Sequence, residues 1–317
     1  MSWLLWRQHR AEVGIALLLV GCLGVAFYAF GHPMHVSFVR DGVAACVVQP
    51  RDACAAVIEQ FRGTFGDARS ILLMLNLVPA AVGTFIGAPL IAREFEAGTW
   101  QLAWTQAVPR LRWLAMKLTA LGAVTVLLTI AFAALATWYR RPWDALDGRF
   151  APEGFDLEGL MPSAYALFAF AAGTAAGALV RRSVPALAIA LTTFAAVRYT
   201  VDTWLRPRFR TPVTTVWDPV TQRGAVGRDG WSLASGIVDT GGHHLTEAQA
   251  YQDVYKAALG DRTDVPTYLH THGMRLWNTY QPGNRFWTFQ LIETALYVGL
   301  VVLLLALVIW RIRRRTP

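Results

Sequence analysis

Three ionisable residues stand where ionisable residues are costly. Arg198 and Asp202 lie four positions apart near the end of an apolar run from Val184 to Leu205, and Glu293 lies inside another from Phe286 to Trp310. Charges buried in such runs face protein or water and pair with one another. Arg198 precedes Arg206 by eight residues and Glu293 follows Arg285 by eight, which places both ~12 Å from one boundary at 1.5 Å per residue. Equal depth predicts an ion network of Arg198, Asp202 and Glu293 joining the two segments, with Arg198 and Asp202 also able to pair along one helix. The alternative is that Arg198 turns outward with Asp202 while Glu293 packs as a protonated or hydrogen-bonded group.

Other candidate chemistry is sparse. Asn76 and Pro79 open a polar kink in the apolar run over 71–91, or only bend it. His243, His244, His270 and His272 lack the Cys or carboxylate partners of a zinc site, so no metal is expected. No G-x-S-x-G nucleophile motif occurs, and no G-x-x-x-x-G-K-[ST] cradle for ATP phosphates. If ATP is used, another chain supplies it. Cys46 and Cys54 share one connecting segment, and an oxidising compartment there predicts a disulfide; the alternative is two unpaired thiols.

The elements that position these residues follow from composition. The chain is 55% hydrophobic and only 16% charged, and its mean hydropathy is +0.36, which points to a polytopic membrane protein rather than a soluble domain. A net charge of +8 raises nucleic acid as a partner, but the arginines flank apolar runs without a lysine-rich stripe or stacking aromatics. That class is excluded. Six apolar runs, roughly 13–30, 71–91, 118–138, 160–180, 184–205 and 286–310, each match the ~20 residues that span ~30 Å of hydrocarbon. The first lacks a small-x-small cleavage site and reads as an uncleaved span, preceded by an amphipathic helix over Met1 to Arg10 whose tryptophans sit at headgroup level. Arg7, Arg10, Arg93, Arg110, Arg112, Lys117, Arg181, Arg182 and the arginines after Trp310 fall on one face. By the positive-inside rule that face, with both termini, is cytoplasmic.

The opposite face carries segments 31–69, 139–159 and 206–284, and the last is too long for a bare connector. A small mixed cap is expected there, with strands over Val213 to Trp217 and Trp231 to Val238 and a helix over Leu245 to Leu259 capped by Thr246 and Gln249. The division is therefore 1–205, with five spans and a cytoplasmic loop over 91–117, then an extracellular cap at 206–285, then a sixth span and basic tail at 286–317. In the fourth span Gly173, Ala176 and Gly177, with Ala169 and Ala172, allow close helix contact.

The 91–117 loop holds the most specific pattern. Gly98 ends a helical extension, Thr99 caps a short new helix, and Trp100, Leu102, Ala103 and Trp104 give it an apolar face before Pro109. Such a face needs a partner surface, or it lies against lipid. The residues Glu94, Glu96, Gly98, Thr99, Thr105, Gln106, Val108 and Arg110 resemble the first cytoplasmic loop of ABC-2-type transporter permeases. Tyr280 to Trp287, leading to Gln290 and Glu293, is similar to the start of the last span in actinobacterial members. The resemblance implies an all-α permease subunit of an ATP-driven exporter, without catalytic residues or cofactor of its own. A separate ATPase would bind ATP and Mg and dock on the loop, with Arg93, Glu94, Glu96, Gly98, Thr99, Trp100, Trp104 and Arg110 as coupling residues. A second copy or a sister permease would complete the path in the cell membrane, with lipid around it. The alternatives are a non-transporting sensor or scaffold that reads a ligand through its cap, and, third, an intramembrane enzyme. No residue identifies a cargo.

Overall fold

The computed structural model describes residues 2–49, 53–98, 110–222, 230–250, 254–261 and 263–314. Helix α1 (Ser2–Arg40) leads through two shorter helices, α2 (Val43–Val48) and α3 (Cys54–Leu75), to α4 (Leu77–Glu96). Then come α5 (Arg110–Asp147), the single turn α6 (Pro152–Phe155), α7 (Met161–Val180) and α8 (Ser183–Thr200). Among the described residues six helices are long and apolar enough to cross a membrane: α1, α4, α5, α7, α8 and the final helix.

The first connecting segment is more helical than its charges suggest. Helix α1 runs unbroken from Ser2 through Pro33 to Arg40, so no break sets off an interfacial helix at Arg10 or ends the span at Phe30. Nothing between Arg10 and Val13 breaks a helix. At 39 and 38 residues, α1 and α5 run ~58 and ~57 Å, nearly twice the hydrocarbon core. Their ends therefore project beyond it and pack with α2 and α3, burying Met34, Val43, Phe61, Leu72, Trp143 and Leu146 in one cluster. A disulfide between Cys46 and Cys54 closes the α2–α3 turn, and Arg62 pairs with Asp147 at 2.6 Å.

Helices α4 and α7 meet backbone to backbone. A Cβ on Gly87 would lie 2.2 Å from the Phe170 carbonyl oxygen and one on Gly83 2.2 Å from that of Ala166; a Cβ on Gly177 would lie 2.7 Å from that of Ala88. The fourth-span stripe of Gly173 and Gly177 thus has a counterpart in Gly83 and Gly87. Only residues without a side chain permit that approach, which substitutes van der Waals contact for a hydrophobic force that lipid does not supply.

Between α8 and the last helix sits the cap. Strands β1 (Val213–Trp217), β2 (Trp231–Val238) and β3 (His244–Thr246) are followed by α9 (Glu247–Ala250), α10 (Lys256–Gly260), α11 (Val265–Thr271) and β4 (Arg275–Gln281). The sheet is antiparallel in the order β1-β4-β2-β3. One of its two inner strands, β4, is hidden in the sequence, because its polar residues read as an approach to the last span, and β3 is hidden too, because it overlaps the start of the helix expected over Leu245 to Leu259. Thr246 N–H and Oγ1 both donate to Gln249 Oε1 at 3.0 Å, the expected capping contact. Ile237, Ala250, Val254 and Leu269 form the small core. Trp231 packs on Phe150 and buried Gln281 donates to the Arg210 carbonyl at 2.7 Å, which seats the sheet on the bundle. The chain closes with α12 (Phe286–Arg314).

Candidate functional site

At the cap end of the bundle, α8 does not stop as an α-helix. Residues Val201–Leu205 form a π-turn and Arg206–Arg208 a 3-10 turn. In an α-helix of 3.6 residues per turn, residues eight apart point about 80° away from each other. A wider turn with one extra residue removes most of that angle, so Arg198 and Arg206 reach the same acids. Arg206 is 1% exposed and is the hub: Nε donates to Glu293 Oε2 at 2.7 Å and Nη2 to Asp156 Oδ1 at 2.8 Å. Its Nη1 pairs with Asp202 at 2.7 Å.

Arg198 donates to Asp156 and lies 3.6 Å from Glu293. Tyr165, buried in α7, donates to Glu293 Oε1 at 2.7 Å and lies 3.1 Å from Asp156 Oδ1. The guanidiniums of Arg198 and Arg206 each sit 4.5 Å over a ring, Tyr165 and Phe155 respectively.

The structure thus brings Arg198, Asp202 and Glu293 into one network, with a correction. Asp202 pairs with Arg206 and not along the helix with Arg198, because the π-turn shifts its register. Arg206, which reads in the sequence as the residue marking the span boundary, is among the most buried side chains in the protein. Asp156 and Tyr165 complete the set, and sequence reasoning passed over both. Asp156 hides among the acids of an outer connector, and Tyr165 among the alanines of α7. The available signal was Asp156-Leu157-Glu158-Gly159, acids placed directly ahead of an apolar helix. Gly159, at φ +62°, lets that chain lie against Gln290. Gln290 Oε1 accepts from Leu160 N–H at 2.9 Å and Nε2 donates to the Phe155 carbonyl at 3.0 Å. Glu158, fully buried, takes Arg149 at 3.0 Å and Arg140 at 3.5 Å. Each buried acid therefore has a cation, as burial requires.

The other end of the bundle is wired differently. Helix α4 ends at Glu96, and Gly98 follows with φ +66°, the left-handed conformation that stops a helix. Glu94 is buried and accepts from Lys117 of α5 at 2.5 Å, and the same ammonium lies 4.5 Å from the Trp113 ring. Glu96 accepts from Ser183 N–H at 2.9 Å and Ser183 Oγ at 2.6 Å. A carboxylate at the first turn of α8 satisfies an N–H the helix cannot and opposes the positive end of its dipole. Arg93 is exposed beside it, and Arg110 is the first residue of α5. Thr99, Trp100 and Trp104 lie outside the described residues.

Asn76 occupies the junction of α3 and α4, and the break falls there; Pro79, in the first turn of α4, has no intrahelical N–H to lose. In the cap, His270 lies 2.7 Å from Asp218 and His243 3.0 Å from Asp239. The Thr221 N–H first, and then the His270 ring, pull the Asp218 carboxyl down to about 2. No group of three or more metal-ligating side chains occurs among the described residues.

These elements match a known pattern of chain. The family described as ABC-2 membrane transporter related matches residues 16–206, more than half of the 317. The chain belongs to that family. It is therefore a multi-pass, permease-type membrane subunit of an ABC transporter, and the family implies an ABC ATPase as a partner in general terms. The match includes the α4–α5 loop and ends at Arg206, so this ABC-2 protein carries its cap outside the matched segment. Comparison with curated proteins and with solved structures finds no match.

Proposed function

We propose that this ABC-2 protein is the membrane half of an ATP-driven exporter, and that a separate ATPase, which holds ATP and Mg, docks on the 97–109 loop between α4 and α5. In this reading the loop and both termini are cytoplasmic and the cap is extracellular. The arginine bias supports that orientation. Two copies, or this chain with a sister permease, enclose the path. The observation that carries the proposal is the way the loop's flanks are held: Glu94–Lys117 ties its two stalks together, and Glu96–Ser183 ties it to α8.

A loop anchored on both sides moves its helices when it is pushed. Closure of an ATPase pair would tilt α8 as a rigid rod, and the far end of that rod carries Arg198 and Arg206. The gate is then the network those arginines make with Asp156 and Glu293. Glu94 and Glu96 act here by holding the loop to its own bundle, while Trp100 and Trp104 supply the surface for the ATPase, with Arg93, Thr99 and Arg110 at its rim.

Purification from the native membrane with mass spectrometry tests the docking. An ATPase that accompanies wild type and is lost from the Trp100→Ala, Trp104→Ala double variant, at unchanged thermal stability, supports it. An ATPase retained by that variant moves the docking surface elsewhere. If none accompanies wild type, the coupling reading fails and a ligand-sensing cap becomes the better account.

A further inference from the structure

A shallow pocket of about 460 Å³ lies where the end of α8 passes into the cap. Thr203 forms one side, Arg208, Arg210 and Thr211 come from the connecting segment, and Leu233 of β2 forms the far wall. Arg208 Nη1 donates to the Trp204 carbonyl at 2.5 Å, and its guanidinium lies 5.8 Å from the centre of the Trp204 ring. Those contacts fix the head and leave its other N–H groups for a ligand. Arg210 is exposed, and its guanidinium meets no acceptor among the described residues. A third guanidinium stands behind the pocket, where Arg285 Nη1 donates to the Thr211 carbonyl at 2.7 Å. Among the described residues none of the three meets a carboxylate, and the neighbouring acid, Asp202, is taken by Arg206 at 2.7 Å. The charge of the pocket calls for an anion.

Depth selects the kind of anion. Ser183 to Leu205 covers ~33 Å at 1.5 Å per residue, close to the ~30 Å of hydrocarbon, so Thr203 to Arg210 lies at the headgroup level of the leaflet beneath the cap. Two tryptophans mark that level: Trp204 is 57% exposed, and Trp287, in the first turn of α12, is 53% exposed. Indole rings settle at this boundary. A phospholipid presents its phosphate at the same height, and the planar fork of a guanidinium matches phosphate oxygens two at a time. A zwitterionic lipid brings its own cation to the site, so the surplus of arginine favours a headgroup with net negative charge.

We infer that the pocket of Arg208, Arg210 and Thr211 binds the phosphate of one anionic phospholipid of the leaflet beneath the cap, with its acyl chains descending past Trp204 and Leu205. A lipid held there bridges the end of α8 and the base of β2. The inference rests on the span boundaries and depends neither on the ATPase nor on the cargo.

The purified full-length chain in nanodiscs, doped with phosphatidylglycerol carrying a photo-crosslinking group close to its glycerol, provides the test, with adducts mapped by mass spectrometry. Adducts should concentrate on 203–212 and exceed those from a phosphatidylcholine probe of the same chains. They should fall roughly tenfold in the Arg208→Gln, Arg210→Gln double variant at unchanged thermal stability, as for loss of charge-assisted contacts. Arg182→Gln, at the opposite end of α8, should leave them as they are. Equal labelling by the two lipids, or adducts on 203–212 that survive the double variant, would overturn the site. Inorganic phosphate separates the sources. Labelling abolished by phosphate, but not by sodium chloride of the same ionic strength, would assign the pocket to a soluble phosphate and overturn the lipid.

Discussion

The two ends of α8 are held by opposite strategies. At the cap end, Arg198 and Arg206 share Asp156, Glu293 and Tyr165, so that α7, α8, α12 and the α6–α7 connector meet in one largely buried cluster. At the loop end, each carboxylate contact joins one pair of elements, Glu94 to Lys117 and Glu96 to Ser183, with the second at the surface. A cluster of shared partners fails or holds as a unit, whereas separate contacts can yield one at a time. The difference places the cooperative joint at the cap end and the adjustable joints at the loop end, the arrangement a lever needs.

Removing the hub is the most severe way to break this contrast. Arg206→Ala leaves Asp156 and Glu293 sharing one guanidinium, and should cost about 3–5 kcal/mol, the usual penalty for stranding a buried charge. Thermal unfolding in detergent reads it. A smaller loss from Arg206→Ala than from Arg198→Ala would mean that Arg206 is not the hub. At the loop end, Lys117→Ala takes from buried Glu94 the ammonium bonded to it and should cost roughly 3 kcal/mol, at the lower edge of the same range. The Lys117→Met, Glu94→Leu double variant should recover most of that stability, because two apolar groups leave no charge unpaired.

Gly87→Ala offers a control between the ends. Its new methyl meets the Phe170 carbonyl at 2.2 Å and should cost about 1–3 kcal/mol through overpacking, with neither joint touched. Ser183→Ala is milder. It removes one of two bonds to exposed Glu96 and should loosen the first turn of α8 by less than Gly87→Ala loosens the bundle, and Ser183→Thr should restore it. Hydrogen exchange at the first turn of α8 is the direct measurement.

The smallest effect lies in the cap. The Asp218 carboxyl is depressed from an ordinary 3.8 to about 2. Its contribution is therefore whole above pH 3.8 and lost as the pH falls toward 2. Acid-induced exchange in β1 and α11 should rise in that window and lose its pH dependence in Asp218→Asn.

Much of this was legible beforehand. The apolar runs fixed three of the spans closely, those over 160–180, 184–205 and 286–310, because hydrocarbon thickness sets a length that composition must meet. The runs over 13–30 and 118–138 were cut short, since α1 continues to Arg40 on contacts with α5 and α5 itself extends from Arg110 to Asp147, while 71–91 began in α3 and stopped short of Glu96. Strands β1 and β2 announced themselves by β-branched and aromatic residues between turns. Strand β4 did not, since its partners lie 59 to 67 positions away in β1 and 37 to 50 positions away in β2, and pairing at that distance leaves no local mark.

For the site, one chain determined the kind of chemistry and the fold determined the partners. Arg198, Asp202 and Glu293 were visible because a charge inside an apolar run is costly, and that cost is a property of sequence alone. Which acid meets which arginine depended on a single π-turn, which rotated Asp202 toward Arg206 and brought Arg206 beneath the surface. Likewise Glu94 and Glu96 stood out as loop acids, but only the packing of α4 against α5 and α8 gave them Lys117 and Ser183. Side-chain type is written residue by residue; depth and direction depend on how helices far apart in sequence turn toward one another.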